Sequence, residues 1–539
     1  MFPAVQSELQ SFLPETFFKS VESSVIEQLL WAHSSDRKRI ERLHALCEEK
    51  GMKEAISYFL RADGEPFAST QKFGAIEKAF KILDADYWQR ALNATDVKDH
   101  MPQARRTEWD DSIMSLDVPA FDLETVVGTL RELLLERDKF FAERVDGIFY
   151  ALSGEHVTNA PEGFSRRMIL YVADKDGYVN TTMAGHVNDF RIVMGKLLDT
   201  DINPSLSKTM DIISECRRTS GEWRSIDGGA FRMKVFLKGT AHLEVHPDIA
   251  WKLNEVLAFL HPKAIPAAFR RQPQRKKLRE FSLTRNVIPS DVRYVISEMN
   301  FAVIYGRRGM HDDAPLRQSQ DTYTLPYSQT KDKHLKEKVL RVLQACGGQI
   351  LSNGDIYFDY DFEAIREDLL VTGLIPDQKA YQFYPTPEPI AKKIVELAGI
   401  EPDHRTLEPS AGIGGLADFI PANDLTCVEL AELNCRILRE KGFSNVVEAD
   451  FLTWRHGKGL FDRIVLNPPF SMSRAEAHFM AAAEMLNQDG VLVALLPDSL
   501  RGKSPLAGFD YEWEALPAGS FPGVSIDLSI LKVTRKAFI

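Results

Sequence analysis

The first part of the chain carries its apolar residues at helical spacing. Val126, Leu130 and Leu134 follow one another at intervals of four, and similar spacing recurs toward the start of the chain. Such spacing places the apolar residues on one face of a helix, which can then pack against a core. We therefore predict a helical N-terminal region over residues 1–150, whose charged side chains form solvated faces.

Residues 151–262 change to a mixed pattern that predicts an α/β accessory domain. Residues 231–245 alternate between apolar and polar positions on either side of Gly239, which is typical of a β-hairpin. His242 and His246 follow that turn. A metal site at this pair is one interpretation, but exposed strand histidines are commoner, and we predict no metal.

The middle of the chain shows weaker periodicity. Residues 263–330 contain many turn formers and predict a basic, loop-rich connector. Residues 331–380 predict a basic amphipathic helix followed by a hairpin whose turn is Asn353-Gly354. A helix with a hairpin can form a winged DNA-binding element, and it is equally a common packing unit.

From residue 381 onward, apolar strand patterns alternate with helical ones. This series predicts a largely parallel sheet with helices on both faces, formed by residues 381–539. After the strand that ends near Leu496, the pattern predicts a loop of about 25 residues and then a closing strand, Val524 to Val533. The predicted strands are Thr406-Leu407, Leu425 to Val428, Asn445 to Glu448, Arg463 to Leu466 and Val491 to Leu496.

Composition places the chain among ordinary globular proteins. It has 539 residues, 44% of them hydrophobic and 27% charged, and its net charge is −11. This length suggests about two to four domains. The five cysteines form no Cys-x-x-Cys pair, which argues against a zinc site or a disulfide framework and for a reducing compartment. No apolar run reaches membrane-spanning length and no signal-peptide pattern opens the chain, so we expect a cytoplasmic protein.

One basic segment departs from the acidic balance of the chain. Residues 263–285 carry a cluster of cations with Phe269 and Phe281 between them and only Glu280 opposing them. Such a cluster can neutralise backbone phosphates, and it can equally be a solvated linker. The candidate nucleic-acid-binding residues are Arg270, Arg271, Arg275, Lys276, Lys277 and Arg279.

Polar residues follow the first three strands of the predicted parallel sheet. A glycine-rich loop, Glu408-Pro409-Ser410-Ala411-Gly412-Ile413-Gly414-Gly415, follows the first strand, and we predict that it opens a helix. Glu429, followed by Leu430, comes about 20 residues later, where an acidic residue binds ribose hydroxyls. The third strand leads to Asp450-Phe451, a carboxylate and a ring suited to the amino group and face of an adenine.

The fourth strand ends at Asn467-Pro468-Pro469-Phe470. Two prolines cannot extend a ladder, so the chain must turn here, at the edge where open α/β sheets bind ligands. An amide oxygen, a proline carbonyl and an aromatic ring offer two acceptors and one stacking face to a planar, amino-bearing ring. An ordinary Pro-Pro loop is the simpler interpretation of the tetrapeptide taken alone.

In this order, the four motifs resemble those of class I S-adenosylmethionine-dependent methyltransferases that modify amino groups. Upstream, Tyr384-Pro385-Thr386-Pro387 is similar to the Tyr-Thr-Pro motif of bacterial and phage DNA adenine methyltransferases, whose segment closes over the methionine moiety of the cofactor. Residues 228–260 resemble an uncharacterised domain that accompanies methyltransferases on phages and mobile elements. The resemblance implies a seven-stranded Rossmann-like fold and S-adenosylmethionine as cofactor.

The resemblance also implies roles for individual residues. Asn467, Pro468, Pro469 and Phe470 would be catalytic, and transfer would go to the 6-amino group of adenine in DNA, either flipped from a duplex or single-stranded. The looser match, of residues 228–260 to a domain found on phages and mobile elements, also suggests a role in shielding DNA from restriction. The implied cofactor-binding residues are Tyr384, Pro385, Thr386, Glu408, Ser410, Ala411, Gly412, Gly414, Glu429, Leu430, Asp450, Phe451 and Asn467.

Three other functions fit the same motifs. A ribosomal RNA methyltransferase acting on adenine or guanine amines carries Asn-Pro-Pro-Phe too, and a protein glutamine methyltransferase shares the motif more distantly. A non-catalytic nucleic-acid binder with a relict methyltransferase domain is the third.

Overall fold

The chain folds into two compact units, Met1–Arg285 and Asn286–Ile539. The computed structural model describes residues 13, 17, 23–52, 55, 58, 75–95, 97–273, 281–304, 317–327, 331–374, 386–455, 459–470, 474–502, 506–517, 519–520 and 526–536. Among the helices of these residues, none has the length and apolar character needed to cross a membrane.

The first unit begins with a helical region, as predicted. Its core includes Trp88 and Leu130, which are fully buried, and Trp88 donates its indole N–H to the carbonyl of Pro119 at 2.8 Å. The helices are α1 (Ser23–Glu48), α2 (Ile76–Ala94), α3 (Val97–His100), α4 (Gln103–Ser115), α5 (Leu123–Leu135) and α6 (Arg137–Ser153).

The rest of the first unit is the predicted mixed α/β region. It contains one four-stranded antiparallel sheet of order β1-β4-β3-β2. The predicted hairpin is confirmed as β3 and β4, joined through Gly239, whose φ is +88°. The elements are β1 (Met168–Tyr171), α7 (Thr181–Leu198), α8 (Leu206–Arg218), β2 (Arg224–Ile226), β3 (Phe231–Val235), β4 (Thr240–Val245) and α9 (Pro247–Leu260).

The second unit opens with a small α/β element. Its sheet has the order β5-β6-β8-β7. The predicted helix and hairpin of the 331–380 segment are present as α11, β7 and β8. The elements are α10 (Ser290–Ser297), β5 (Asn300–Ile304), β6 (Arg317–Thr324), α11 (Lys333–Ala345), β7 (Gln349–Ile350), β8 (Ile356–Tyr357) and α12 (Phe362–Thr372).

The expectation of a loop-rich connector is therefore wrong for the part after residue 286, which contributes a helix and two strands. The strand β6 reads Arg-Gln-Ser-Gln-Asp-Thr-Tyr-Thr, and its one large apolar residue, Tyr323, is 1% exposed. A strand that is polar at nearly every position shows no hydrophobic period. Its pairing with β5 and β8 defines it instead.

The remainder of the second unit is the predicted Rossmann-like fold with a seven-stranded, mostly parallel sheet. Seven strands form one sheet of order β11-β10-β9-β12-β13-β15-β14, in which β15 pairs antiparallel with both β13 and β14. The elements are α13 (Glu388–Ala398), β9 (Arg405–Pro409), β10 (Asp424–Glu429), α14 (Glu432–Glu440), β11 (Val446–Glu448), α15 (Phe451–Trp454), β12 (Phe461–Leu466), α16 (Arg474–Glu484), β13 (Leu486–Pro497), β14 (Phe509–Ala515) and β15 (Leu528–Arg535).

The loop predicted after Leu496 is a second difference, because it contains the edge strand β14. Phe509, Tyr511 and Trp513 alternate with polar residues along it and pack against the core of the sheet. The alternation of period two was visible in the sequence. The closing strand is confirmed from Leu528 onward, and residues 524 and 525 lie outside the described part of the chain.

The small α/β element and the large sheet share a hydrophobic core. Ile413 of the glycine-rich loop and Ile437 of α14 belong to the same buried cluster as Val292 and Leu343. Lys441 strengthens this packing, since its ammonium lies 3.0 Å from a carboxylate oxygen of Asp359 and is only 8% exposed. The glycine-rich loop is thus supported by a neighbouring sheet.

Candidate active site

The motif residues meet because they follow strands that are neighbours in the sheet. β10 pairs in parallel with both β9 and β11, and β12 pairs in parallel with β9. The carboxyl ends of these four strands therefore lie along one edge, as in other open α/β sheets.

The glycine-rich loop leaves β9 through left-handed backbone conformations. Ser410 has φ +65°, which is uncommon for a residue other than glycine, and Gly412 and Gly414 follow at +59° and +93°. Ala411, Gly412 and Gly414 are buried, and the N–H of Ala411 donates to the carbonyl of Val428 at 3.0 Å. The loop is therefore fixed against β10 with strain stored at Ser410.

The loop does not open an α-helix, contrary to the sequence expectation. One turn of 3₁₀-helix, Ala417–Phe419, follows it. Pro421 comes two residues later, and a proline prevents the preceding turn from extending as a helix. Instead, the loop is held by its own N–H groups, since those of Ala411 and Gly412 donate to Val428 and Glu429 and that of Gly414 donates to the carbonyl of Ala411.

Glu429 is an anchored buried carboxylate. It is 7% exposed, one oxygen accepts the N–H of Gly412 at 2.8 Å, and the other accepts the N–H of Ala431 at 2.7 Å. Burial raises the pKa of this carboxyl, while the two backbone donors oppose that shift. The bonds tie the end of β10 to the glycine-rich loop, whereas the next residue, Leu430, is 47% exposed.

Glu408, at the end of β9, is also buried, with 2% of its surface exposed. Its pKa lies well above the usual range because of burial first and the nearby Asp418 second. Its Oε2 has no hydrogen-bond partner among the described residues. A buried carboxyl group of this kind suits a hydrogen-bond-donating ligand, and a cation bound beside it would favour its ionised form.

Asp450 and Phe451 differ in their surroundings. Asp450 is exposed and caps α15, where its side chain accepts the N–H of Leu452 at 3.0 Å. The ring of Phe451 is 2% exposed and packs beside Trp454 and His478. The carboxylate is accessible to a ligand, while the ring belongs to the hydrophobic core of the sheet.

Thr386 connects the two motifs of the site. The Nδ2–H of Asn467 donates to Thr386 Oγ1 at 3.0 Å. A Cβ placed on Gly415 would lie 3.3 Å from the Thr386 nitrogen, so the loop approaches Thr386 closely. The bond assigns the amide nitrogen to Thr386 and turns the acceptor Oδ1 away from it.

The other residues of the Asn-Pro-Pro-Phe motif are partly enclosed. Pro468 is buried, Pro469 and Phe470 are half-buried, and Phe470 packs against the cluster that contains Ile390 and Leu495. Tyr384 and Pro385 lie outside the described residues. Of the predicted Tyr-Pro-Thr segment, Thr386 is therefore the residue whose position is known.

His478 of α16 is a site residue that the sequence reasoning missed. Its Nδ1 lies 3.0 Å from Ser410 Oγ, and its ring centroid is 5.5 Å from that of Phe451. Burial lowers the pKa of His478 to about 4, so the ring is neutral near pH 7. Its position eleven residues after Asn467, on the buried face of a helix, was the available signal.

The basic segment is only partly described. Arg271 is exposed, and Arg270 is half-buried with its Nε 3.7 Å from a carboxylate oxygen of Glu255. Phe281 is 6% exposed and therefore belongs to the core. The other candidates, Arg275, Lys276, Lys277 and Arg279, lie outside the described residues.

The sequence suggested that His246 is an exposed strand histidine, and the structure shows that it is not. It is 5% exposed and caps α9, where its Nδ1 accepts the N–H of Asp248 at 3.2 Å. Its Nε2 lies 2.9 Å from the carbonyl of Phe281. Both ring nitrogens therefore have protein partners.

Comparison with known proteins finds one matching family model and several solved structures of similar fold. Residues 80–263 match the model of a family described as Domain of unknown function (DUF4942). No curated protein matches the chain.

Three solved structures illustrate the similar folds. TrmN from Thermus thermophilus is 20% identical, over 27% of this chain and 48% of that one, with a TM-score of 0.23. A putative RNA methyltransferase from Pyrococcus horikoshii is 19% identical over 30% of this chain and 92% of that one, with a TM-score of 0.24. A modification subunit of a putative type I restriction enzyme from Vibrio vulnificus is 16% identical over 29% of this chain and 45% of that one, with a TM-score of 0.26. Such low scores leave the functional assignment to the residues of the chain itself.

Proposed function

We propose that the second unit is an S-adenosylmethionine-dependent methyltransferase that acts on the 6-amino group of adenine in DNA. The observation that carries this proposal is the junction at Thr386, where the amide of Asn467 meets the glycine-rich loop. A methyl donor bound along the loop and an amine bound at Asn467 would then be neighbours.

The residues at the strand ends fit the proposed cofactor. Glu429 suits the ribose hydroxyls, because its two oxygens are fixed by backbone donors and each keeps a further lone pair. Glu408, whose Oε2 has no partner among the described residues, suits the ammonium group of the methionine moiety. Asp450 is accessible to the adenine amino group of the cofactor. When bound, S-adenosylmethionine supplies an electrophilic sulfonium methyl group.

The chain's own groups would prepare the substrate amine. Asn467 Oδ1 and the carbonyl of Pro468 would accept hydrogen bonds from the NH2 group, which favours a tetrahedral nitrogen and stabilises its developing positive charge. Thr386 would keep the amide in the required orientation through its bond to Nδ2. Phe470 would stack on the base, and alignment with the methyl group would provide most of the remaining rate.

A DNA substrate would have to present an unstacked adenine. Taking a base out of a duplex costs about a few kcal/mol, so mispaired or single-stranded targets would react more readily. The choice of DNA rests on the similarity of the Tyr384-Pro385-Thr386-Pro387 segment to DNA adenine methyltransferases. Shielding of phage or mobile-element DNA from restriction would follow from such an activity.

The experiment is transfer of labelled methyl groups to unmethylated duplex DNA, denatured DNA and ribosomal RNA, followed by nucleoside analysis. We expect 6-methyladenine from DNA, with a higher rate on denatured DNA. Label found only in RNA would contradict the DNA assignment and favour a ribosomal RNA methyltransferase. No label in any nucleic acid, although the cofactor binds, would favour the relict binder.

A further inference from the structure

The four-stranded sheet of the first unit has one covered face and one open face. Met168, Met233, Val235 and Leu243 are buried on the covered face, where α6 and α8 contact the sheet. Because side chains alternate along a strand, the residues between them project from the opposite face. That face lies within the residues that match the family of unknown function.

The open face combines exposed rings with cations. Register pairs Ile169 with His242 and His242 with Lys234, which forms one continuous row across three strands. Ile169 is 62% exposed and Tyr171, two residues along the same strand, is 69% exposed. Two large, exposed side chains next to each other on one sheet face are a feature of surfaces that bind a partner.

Trp223, which immediately precedes β2, completes the row. The guanidinium carbon of Arg232 lies 4.6 Å from the centre of its ring and the ammonium of Lys234 lies 4.9 Å from it. Arg167, at the other end of the face, approaches the same ring at 5.4 Å. The tryptophan is half-buried and these cations lie over its ring, so a base that stacks there would take their place.

The charge balance of the face is positive. Glu244 forms ion pairs with both Arg167 and Arg232 at 2.6 Å. Together with Lys234, these two arginines give the face three positive charges against one carboxylate, a net charge of +2. His242 lies among them, and its pKa is lowered by burial first and by Arg167 and Lys234 next. The histidine is therefore neutral near pH 7, and the field around it is positive.

We propose that this open face, defined by Arg167, Ile169, Tyr171, Trp223, Arg232 and Lys234, binds single-stranded DNA. Flat sheets bind unpaired strands by stacking bases on exposed rings and by neutralising phosphates with neighbouring cations. A duplex keeps its bases stacked on each other and offers no ring face to Tyr171 or Trp223. The choice of DNA over RNA rests on the proposed function, whereas the single-stranded form follows from the face itself.

The proposal explains how an acidic protein with an acidic catalytic domain would hold its substrate. The face would retain an unpaired segment of DNA, which is the form in which an adenine is most easily delivered to a methyltransferase site. It would contribute binding without contacting the reacting atoms. Its loss would therefore raise KM for single-stranded DNA while kcat at saturation stays unchanged.

The test is binding of a fluorescent oligothymidylate of about 16 nucleotides, the upper range for a single small platform, to the full-length protein. We expect Tyr171→Ala and Trp223→Ala each to weaken binding about tenfold, within the range seen for loss of one stacked base. Trp223→Phe keeps a ring and should restore most of the affinity. Tyr150→Ala is the matched control, because Tyr150 is 58% exposed on α6.

A second variant tests the phosphate contacts. Lys234→Gln should weaken binding and make the slope of log K against log salt shallower by about 0.7, the value for one phosphate contact in a single strand. Thermal unfolding of each variant should match that of the wild type, since the altered side chains lie outside the core.

Unchanged affinity in Tyr171→Ala and Trp223→Ala would overturn the inference, and so would binding of oligouridylate without oligothymidylate. Either result can coexist with 6-methyladenine formation by the wild type, which would leave the proposed function standing. Conversely, Asn467→Ala should bind oligothymidylate as the wild type does. Failure of the proposed function would therefore appear in turnover and failure of this inference in binding.

Discussion

Asn467 and Thr386 are 81 positions apart in the sequence, and one hydrogen bond of 3.0 Å joins their side chains. The amide and aromatic motif could be predicted from the sequence, because Asn467-Pro468-Pro469-Phe470 stands directly after an apolar run. The partner of the amide could not, since Tyr384-Pro385-Thr386-Pro387 offers several polar groups and only the tertiary structure selects Thr386. His478 was missed for a similar reason, because a histidine on a helix has no motif of its own.

Thr386→Val should lower turnover and leave cofactor affinity nearly unchanged. Valine keeps the shape of threonine but cannot accept the Nδ2–H of Asn467, so the amide would lose a bond of about 1 kcal/mol and its fixed orientation. We expect kcat to fall about tenfold, measured by methyl transfer together with calorimetric cofactor binding. Thr426→Val is the matched control, since Thr426 Oγ1 also accepts from an asparagine amide, that of Asn445 at 2.7 Å, within the sheet. Equal losses in both variants would contradict a special role for Thr386.

Glu429→Gln should weaken cofactor binding at least tenfold. The glutamine amide would place an NH2 group against the backbone donor of Gly412 or Ala431, which costs about 1–3 kcal/mol and releases the loop. Glu448→Gln provides the control, because Glu448 pairs with Glu429 in register and is exposed. Cofactor titration by calorimetry measures both, and identical affinities would contradict the role assigned to Glu429.

His478 should make the second unit sensitive to mild acid. Its folded pKa of about 4 lies below the ordinary histidine pKa of 6.5, so protonation favours the unfolded chain. The stabilisation is complete above pH 6.5 and is lost as the pH falls toward 4. Between pH 7.5 and 5 the wild type should lose about 2 kcal/mol more than His478→Gln. Denaturant unfolding of both proteins at the two pH values measures this difference, and equal losses would refute it.

At the scale of elements, strands with an apolar run or a clear alternation were predictable, and so was the order of strands and helices in residues 381–539. Two elements were predicted incorrectly, for different reasons. β6 is polar along its length, so its burial at Tyr323 depends on the strands beside it. The helix expected after the glycine-rich loop does not form, because Pro421 prevents the turn before it from extending.

The shared core predicts that the large sheet cannot be separated from the small α/β element. A fragment of residues 381–539 would expose Ile413 and Ile437, which are 7% and 0% exposed in the full chain, and would leave Lys441 without Asp359. We expect that fragment to aggregate, while residues 286–539 remain folded and bind the cofactor. Expression of both fragments, with cofactor-induced shifts in melting temperature, is the measurement. A soluble, cofactor-binding 381–539 fragment would show that the shared core is dispensable.

At the scale of the whole molecule, charge and chemistry are divided between the two units. The strand-end residues of the candidate catalytic motifs all lie in Asn286–Ile539, and the open basic and aromatic sheet face lies in Met1–Arg285. The sequence pointed to nucleic acid through residues 263–285, whereas Arg271 is the one exposed member of the candidate set in the described part of that segment. The sheet face could not be foreseen, because its residues come from three separate stretches and share no motif.

The most direct test of the central claim is the amount of 6-methyladenine that the wild type and Asn467→Ala form in unmethylated DNA at equal cofactor occupancy. We expect methylated adenine from the wild type and a loss of about 10²–10³ in kcat for the variant, the size of the loss when one hydrogen-bond donor of an oxyanion hole is removed. Asn467→Asp, which keeps an acceptor oxygen, should retain more activity than Asn467→Ala. Equal rates of methylation by wild type and Asn467→Ala would contradict the assignment of this site.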